Sequence, residues 1–193
     1  AHTRHGTSCE LLLFHSGEEE PFAVLPFPNA CRIGDVYSMI VMGLDIEDLE
    51  YGYRIDGPYE PEKGHIFDKT KVLLDPYAKA VAGQREWGQQ KIGSYHARVV
   101  RDSFDWEDMP QSTRKISDLI LYELHVRGFT QDSSSGVMHP GTFAGFREKI
   151  PYLKELGINA VELMPIFEFD ENMNARTVNG KRLLEYWGYN SVN

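Results

Sequence analysis

The sequence predicts a two-part fold, with an all-β antiparallel β-sandwich over residues 1–110 and the first β/α units of a (β/α)₈ barrel over residues 111–193. The first part holds short apolar runs separated by Gly and Pro turns, a pattern typical of sandwiches. The second part holds longer apolar runs on either side of a helical pattern, which is typical of parallel strands joined by a helix. One and a half such repeats cannot close a barrel, so we expect the barrel to be incomplete in this chain.

Four short runs rich in apolar and aromatic residues predict the strands of the first part, at residues 9–15, 22–25, 35–44 and 51–55. Residues that favour turns, mainly Gly and Pro, separate these runs. Tyr51 and Tyr53 alternate with Gly52 and Arg54, as expected for a strand with one buried face.

The sequence pattern is irregular between residues 57 and 106. It mixes turn residues with a short helical candidate at residues 77–81. Scattered aromatic residues follow, and we expect them to attach this long connection to the domains beside it. They are Trp87, Tyr95, Phe104 and Trp106. The polar run at residues 107–115 marks the best domain boundary.

A strand–helix–strand pattern occupies the second part. The near-continuous apolar runs at residues 119–126 and 158–164 predict parallel strands that are buried on both faces. A Ser- and Gly-rich loop at residues 131–141 precedes Thr142, whose hydroxyl suits the N-cap of a helix. The helix carries one apolar stripe, formed by Phe143, Phe146, Ile150, Leu153 and Leu156.

Two residues punctuate that helix. Pro151 cannot donate to the preceding turn, so we expect a kink or a fresh helix start there. Gly157 suits a left-handed C-terminal cap.

The loop after the first barrel strand separates two architectures that fit this pattern. A doubly wound dinucleotide fold needs a short glycine-rich turn at this point. Residues 127–141 instead form a long loop without GxGxxG. Long loops at the C-terminal ends of strands are typical of barrels, so the barrel is favoured.

Composition excludes several classes of function. The net charge is −9, from 20 basic and 29 acidic residues, and no cluster of Lys and Arg stands out. This disfavours nucleic acid, whose phosphates attract a basic stripe, and it disfavours anionic membrane surfaces. The N-terminal region also lacks an apolar run long enough to span a bilayer, so no membrane partner is expected.

The cysteines and histidines indicate neither a disulfide framework nor a metal site. Cys9 and Cys31 have unrelated surroundings and predict free thiols in a reducing compartment. We therefore expect a cytoplasmic protein, while a targeting segment before Ala1 stays open. The histidines lack ligand spacing, and no phosphate loop or Ser-His-Asp arrangement is recognisable, so we expect no metal and no cofactor.

Long ordered blocks of the sequence resemble the α-amylase superfamily (glycoside hydrolase family 13), and within it the isoamylases and glycogen debranching enzymes. In the second part the blocks are YELHVRGFT, GTFAGFREKIPYLKELGINAVELMP and YWGYN. In the first part, YRIDGPYEPEKGHIFDKTKVLLDPYAKAV is similar to the sandwich that precedes the barrel in isoamylases. The polar tract at residues 170–182 is similar to the glycogen-debranching type.

The resemblance implies the N-terminal part of a hydrolase that cleaves α-1,6 branch linkages with retention, through a glycosyl-enzyme formed on a carboxylate. The implied partner is a branched α-glucan such as glycogen, amylopectin or limit dextrin; no oligomeric state is indicated. In the family the nucleophile, the general acid and the third carboxylate come from later strands. We therefore expect no catalytic residue in this chain and no turnover by it alone.

Two kinds of alternative stay open at this point. Glucan branching enzymes and trehalose-forming hydrolases share the sandwich-plus-barrel plan, although the GPYEP and LLDPYAKAV blocks favour a debranching hydrolase. A non-catalytic α-glucan-binding module is the other alternative. Against it stand the exposed faces that a half-built barrel would leave, which favour aggregation.

The candidate substrate-binding residues are Tyr189, Trp187 and Glu168. By resemblance, the tyrosine after Trp-Gly stacks on the sugar ring at the subsite of cleavage. An aromatic face suits the apolar face of a sugar, and the phenol keeps a polar group available. The alternative for Tyr189 is a core aromatic beside a tight turn at Gly188. Trp187 is expected at a neighbouring pocket position, and Glu168 in the lining of the cleft.

Other charged residues are assigned structural roles. Those at the end of the second barrel strand are expected to be solvated loop acids or strand-end hydrogen bonders, because proximity alone does not give the paired carboxyl groups of a glycosidase. They are Glu162, Glu168, Asp170 and Glu171. Glu123 and His125 alternate on one strand and share a face, with Arg127 two residues on, which predicts a buried polar network.

Overall fold

The computed structural model describes residues 1–82, 86–89, 93–101, 103–109 and 112–192. The described residues form two compact units, residues 1–103 and residues 104–192. The first unit is β-rich, and the second contains all three α-helices of the described chain.

The first unit is built around a five-stranded antiparallel sheet in the order β2-β1-β5-β9-β8. The strands of this unit are β1 Ser8–Phe14, β2 Ala23–Pro26, β3 Arg32–Ile33, β4 Val36–Tyr37, β5 Glu50–Asp56, β6 Tyr59–Glu60, β7 His65–Ile66, β8 Ala80–Val81 and β9 Ala97–Arg98. Strands β3 and β4 form one small hairpin, and β6 and β7 form another. Three of the four predicted strands of this part are therefore confirmed, with their ends shifted by one or two residues.

The core of the first unit lies along the central pair β1 and β5. The two strands run antiparallel, with Ser8 opposite Asp56 and Phe14 opposite Glu50. Leu12 and Phe14 are fully buried, and each contributes about 2–3 kcal/mol of hydrophobic stabilisation. Cys9 is buried on the opposite face of β1 because successive strand residues alternate between faces. Cys9 and Cys31 are both free thiols.

The predicted strand at residues 35–44 is wrong beyond its first residues. Only Val36–Tyr37 pairs, in a hairpin whose turn is at Gly34, with a φ of 60°. The apolar residues that follow have no strand partner within the described chain, and Ile40 and Met42 are 85% and 84% exposed. Apolar side chains specify a strand only where a pairing edge and a packing surface are available, and here the chain leaves the sheet.

The predicted helix at residues 77–81 is also wrong. The Asp75 carboxylate accepts a hydrogen bond from the backbone N–H of Tyr77 at 2.9 Å, which makes a turn. Such local side-chain bonds compete with helix formation. Ala80–Val81 then forms β8 and pairs with β9.

The second unit contains the predicted strand–helix–strand pattern. Its elements are β10 Leu121–Leu124, α1 Val126–Phe129, α2 Phe143–Glu148, α3 Ile150–Glu155, β11 Ala160–Leu163, β12 Arg176–Val178 and β13 Lys181–Leu183. Strands β10 and β11 are parallel, with Leu121 opposite Ala160 and Leu124 opposite Leu163. Strands β12 and β13 form an exposed hairpin with its turn at Asn179 and Gly180.

The predicted helix signals of this unit are confirmed. The Thr142 hydroxyl accepts from the N–H of Gly145 at 3.1 Å and caps α2. The helix is interrupted at Lys149, and α3 begins afresh with Pro151 in its first turn, where a missing N–H costs nothing. Gly157 has a φ of 89° and closes the end of α3, donating its N–H to the carbonyl of Lys154 at 3.0 Å.

The prediction that both faces of β10 and β11 are buried is wrong for the described chain. Leu124 and Leu153 are buried, but Leu121 and Val161 are substantially exposed. The apolar stripe on α2 and α3 is likewise only partly covered, since Phe143 and Leu156 are exposed. Two strands and two short helices are too few to cover both faces of the sheet. Among the described helices, none is long and apolar enough to cross a membrane.

Candidate functional site

His125 is the first residue after β10, and two hydrogen bonds fix its ring. Its Nδ1 accepts from the backbone N–H of Gly128 at 3.1 Å, which caps the N-terminus of α1. Its Nε2 lies 3.1 Å from the carbonyl oxygen of Tyr186. A carbonyl only accepts, so Nε2 carries the proton and donates. The side chain therefore joins the end of β10 to a segment 61 residues further along the chain.

Three aromatic rings cluster at this point. Tyr186 stacks on His125, with ring centroids 4.7 Å apart and planes inclined by 27°. Trp187 meets the His125 ring edge-on at 5.6 Å and the Tyr186 ring edge-on at 5.9 Å. Edge-to-face and offset stacking are the favourable arrangements of such rings, and together they make a rigid wall at the C-terminal end of β10.

Gly188 turns the chain immediately after this cluster. Its φ is 80°, in the left-handed region that favours glycine. A Cβ atom at this position would lie 3.3 Å from the Phe169 ring and 3.5 Å from Pro165. The tight turn thus lies directly against the segment that follows β11.

The chain around Gly188 is hydrogen-bonded to that segment. The N–H of Glu185 donates to the Glu171 carbonyl at 2.8 Å, and the N–H of Val192 donates to the Glu168 carbonyl at 2.8 Å. Phe169 and Ser191 form an antiparallel bridge. We call residues 185–192 the aromatic segment, and it lies alongside residues 165–171.

A cleft of about 210 Å³ opens at the C-terminal ends of β10 and β11. The described residues that line it are His125, Val126, Arg127, Gly141, Thr142, Phe143, Pro165, Ile166, Phe167, Phe169 and Tyr186. Phe143, Ile166 and Phe167 are largely exposed, so their apolar surfaces are available to a ligand. A site with apolar walls and a few polar groups suits a sugar, whose ring has apolar faces and polar edges.

The three predicted substrate-binding residues lie on the two paired segments. Tyr189 is 70% exposed and Trp187 is 51% exposed, while Glu168 is partly buried. The alternative of a core aromatic is wrong for Tyr189, because its ring is in solvent. None of the three is among the described residues that line the cleft, and their role in binding stays a prediction.

Part of this arrangement is not predicted by the sequence. The sequence pattern places Phe143 only in the apolar stripe of the helix and predicts no role for Phe167, yet both residues line the cleft. The sequence position of each residue could have indicated this role, because both lie in the part of the chain that follows the C-terminal end of β10 or β11, where barrel enzymes hold their sites.

The predicted buried network of Glu123, His125 and Arg127 is wrong for Glu123. Glu123 is exposed and lies opposite Glu162, which is also exposed. Two like-charged carboxylates in register repel each other unless water separates them, and the partly open sheet leaves both in solvent.

The acidic residues after β11 have different surroundings. Asp170 accepts a hydrogen bond from the N–H of Asn172 at 2.9 Å, within a local turn of the loop that follows β11. Glu171 is buried, so the prediction of a solvated carboxylate is wrong for this residue. The described lining of the cleft contains no carboxylate. Among the residues that the structure describes, no group of three or more His, Cys, Asp or Glu side chains has the geometry of a metal site.

Most of the first unit matches a known protein-family model. Residues 2–78 match the model of carbohydrate-binding module 48, the isoamylase N-terminal domain.

Curated relatives extend the similarity across both units. Chloroplastic isoamylase 1 of Arabidopsis thaliana is 41% identical over 174 residues, which are 86% of this chain and 22% of the relative. Glycogen debranching enzyme of Yersinia enterocolitica is 32% identical over 209 aligned positions, covering 96% of this chain and 29% of the relative. The chain therefore spans less than a third of the length of these relatives.

Solved structures share the fold. The pullulanase SAP of Group B Streptococcus in complex with maltotetraose has a TM-score of 0.64 and 26% identity, and the match covers 88% of this chain and 22% of that one. Pullulanase from Bacillus acidopullulyticus has a TM-score of 0.66 at 23% identity, with 88% of this chain and 22% of that one covered.

Proposed function

We propose that this chain supplies the N-terminal region of a hydrolase that cleaves α-1,6 branch linkages in α-glucans. The chain is a homologue of isoamylases and glycogen debranching enzymes, and its residues 2–78 form a carbohydrate-binding module 48. In this proposal residues 1–110 are the accessory module with its linker, and residues 111–193 begin the catalytic (β/α)₈ barrel.

One observation carries the proposal: the similarity to isoamylase 1 extends over 174 residues, far beyond the 2–78 module. A free-standing glucan-binding module would share only the module with these relatives. The parallel β10–β11 pair, with a cleft at its C-terminal end, supports the start of a barrel, because barrel enzymes hold their sites at that end of the strands.

The aromatic segment would supply a sugar subsite. The exposed Tyr189 ring stacks on one glucose ring, Trp187 flanks it, and Glu168 accepts hydrogen bonds from sugar hydroxyls. The hydrogen bonds between residues 185–192 and 165–171 support this role, because they hold the rings in place before the sugar arrives. The carboxylates of a retaining mechanism would belong to other parts of the enzyme, since the described cleft lining has none.

The substrate we propose is a branched α-glucan: glycogen, amylopectin or limit dextrin. The maltotetraose complex of the streptococcal pullulanase supports an α-1,4-linked chain as the bound portion. We place the enzyme in the cytoplasm because both cysteines are free thiols, and the chloroplast named for the plant isoamylases is the alternative reducing compartment.

Affinity electrophoresis of the 193-residue chain through gels that contain glycogen tests the proposal. We expect glycogen to retard the chain and Tyr189→Ala to weaken the retardation. Tyr152→Ala is the matched control, because Tyr152 is a similarly exposed tyrosine on α3. Equal mobility with and without glycogen, or equal retardation of the Tyr189→Ala variant, would count against the proposed subsite.

A further inference from the structure

His125 connects β10 to the aromatic segment through one rigid ring. Its Nδ1 accepts from the N–H of Gly128 at 3.1 Å, and its Nε2 donates to the Tyr186 carbonyl at 3.1 Å. The backbone carbonyl of His125 accepts separately from the N–H of Phe129 at 2.9 Å. The connection to Tyr186 therefore depends on the side chain alone, and the two ring nitrogens have opposite hydrogen-bonding roles.

The two contacts require one proton state of the imidazole. In the neutral ring one nitrogen donates and the other accepts, whereas both nitrogens donate in the protonated ring. A proton on Nδ1 would point at the N–H of Gly128 and turn that hydrogen bond into a repulsion between two donors. Because both nitrogens belong to one planar ring, a rotation that moves Nδ1 away from Gly128 also moves Nε2 and the face that stacks on Tyr186.

The packing around the ring leaves little room for such a rotation. A Cβ atom added to Gly128 would lie 3.4 Å from the Tyr186 hydroxyl and 3.5 Å from His125 Nδ1, so the start of α1 packs against both side chains. Trp187 meets the His125 ring at a centroid distance of 5.6 Å. His125 is only partly buried, so solvent protons reach it. A protonated His125 would therefore displace the aromatic residues beside it.

Charged side chains on the neighbouring elements bias proton uptake by His125 in both directions. Arg127 on α1 lines the same cleft and disfavours a second positive charge. The carboxylates favour protonation. They are Glu123 on β10, Glu162 on β11, Glu168, Asp170 and Glu171 after β11, and Glu185 in the aromatic segment. Carboxyl groups ordinarily titrate near pH 4 and phenols such as that of Tyr186 near pH 10, so an imidazole is the group that changes charge between about pH 5 and 8.

We infer that His125 is a positioning residue for the aromatic segment, and that only its neutral form holds this segment in the arrangement that binds α-glucan. The inference deepens the proposed function and rests on it for the identity of the sugar. Uptake of one proton releases the Tyr186 carbonyl and the stacked ring. Trp187 and Tyr189 lose their fixed positions with them, because they follow directly in the chain.

The size of the effect follows from the fraction of neutral His125. Apparent affinity scales with the fraction of molecules in the binding-competent state. One pH unit below the midpoint of the His125 titration, about one molecule in eleven is neutral, so the affinity for α-glucan should be about tenfold weaker.

NMR of the 193-residue chain without sugar tests the first step. With isotope-labelled histidine, the ring nitrogens of His125 should show the proton on Nε2 at about pH 8 and a proton on each nitrogen towards about pH 5. The amide signals of Gly128 and Trp187 should shift with the same midpoint as the ring. A proton on Nδ1 at the alkaline end, a ring that stays neutral throughout, or amides that do not follow the ring would each overturn the inference.

Maltoheptaose titrations over the same pH range test the second step. This sugar has no group that titrates there, so a change in affinity comes from the protein. The affinity read from the Gly188 amide should fall about tenfold per pH unit below the His125 midpoint. An affinity that stays constant across that midpoint would overturn the inference.

A glutamine variant distinguishes proton-dependent positioning from a merely structural role. In His125→Gln the amide supplies an N–H donor for the Tyr186 carbonyl and has no proton to gain. It should bind maltoheptaose within about threefold of the wild type at pH 8 and show no decline towards pH 5. A variant that keeps the wild-type decline would overturn the inference. If the variant does not fold, the comparison of the ring and affinity midpoints in the wild type decides alone.

His139→Gln is the matched control. His139 is the other histidine of the second unit, is exposed, and lies outside the described lining of the cleft. This variant should keep the wild-type dependence of affinity on pH. If His139→Gln abolishes the dependence instead, His125 is not the group responsible and the inference is overturned.

The two steps separate this inference from the proposed function. Coupled titration of His125, Gly128 and Trp187 without any maltoheptaose response at Gly188 supports the positioning role and counts against the proposed subsite. A maltoheptaose response that does not depend on pH overturns the inference and leaves the proposed function standing.

Discussion

Replacement of Glu50 by alanine should destabilise the first unit more than any surface substitution. Glu50 is 3% exposed and His96 is 1% exposed, with His96 Nδ1 3.1 Å from a Glu50 carboxylate oxygen. The other carboxylate oxygen accepts from the Gly17 N–H at 2.9 Å and from the Ser16 hydroxyl at 3.2 Å. One side chain thus connects the turn after β1, strand β5 and the residue before β9.

The cost follows from what the truncation leaves behind. The Ser16 and Gly17 donors lie near the surface, so water can replace the carboxylate there. His96 cannot be rehydrated, since its ring is buried and stacked on Phe14 with centroids 3.8 Å apart. An unsatisfied buried polar group costs about 1–3 kcal/mol, and Glu50→Ala removes the carboxylate from three hydrogen-bond partners at once. We therefore expect Glu50→Ala to lower the free energy of unfolding of this unit by about 3 kcal/mol.

Amide hydrogen exchange measures this loss unit by unit. The Leu12 amide of β1 should exchange roughly a hundredfold faster in Glu50→Ala, since each 1.4 kcal/mol is a factor of about ten. The Leu124 amide of β10 should be unaffected and serves as the internal control. Glu47→Ala is the matched variant, because its ion pair with Arg101 is exposed and worth at most about 1 kcal/mol. An acceleration of less than about fivefold at Leu12 would refute the reasoning.

Three further predictions concern pH, backbone strain and turnover. Burial, assisted by the charge of Asp75, raises the pKa of Tyr53 to about 12 from 10.0, so its folded state favours the neutral phenol. The stability that Tyr53 contributes is complete below about pH 10 and should be lost as the pH rises towards about 12. Denaturant titrations of the wild type and of Tyr53→Phe over that pH range check this. If the free energy of unfolding falls equally with pH in both proteins, the prediction is contradicted. Gly188→Ala should lower the free energy of unfolding by about 1–2 kcal/mol and weaken the retardation by glycogen. Gly136→Ala is the control, because Gly136 also has a positive φ but an added Cβ atom would meet nothing within 4 Å. It should cost as much stability without altering the retardation. Finally, the 193-residue chain alone should release no reducing ends from amylopectin in a copper-reduction assay, and measurable release would show that it contains its own catalytic carboxylates.

Local signals made the strand–helix–strand part of the second unit predictable. Thr142, Pro151 and Gly157 act through their immediate backbone neighbours, so the sequence is sufficient to locate the helix start, break and end. Two long apolar runs on either side of such a helix leave parallel pairing as the favoured arrangement, and the structure has it.

Features that depend on distant partners could not be predicted. The run at residues 35–44 is apolar enough for a strand, but its pairing is limited to the short β3–β4 hairpin. The turn at Tyr77 depends on a single Asp75 carboxylate, which outweighs a weak helical pattern. In the candidate site, the sequence indicated Tyr189 and Trp187 only through a family motif. Their fixed surroundings require the contact of His125 with Tyr186, 61 residues away in the chain.

The most direct test of the central claim uses a chimera in which this chain replaces the aligned 174-residue segment of Arabidopsis isoamylase 1. If the chain supplies the N-terminal region of an α-1,6 debranching hydrolase, the chimera should release reducing ends from amylopectin and none from unbranched amylose. Tyr189→Ala in the chimera should lower kcat/KM about tenfold without changing the melting temperature. A folded chimera that is inactive on amylopectin, or whose activity is unchanged by the Tyr189→Ala substitution, would contradict the claim.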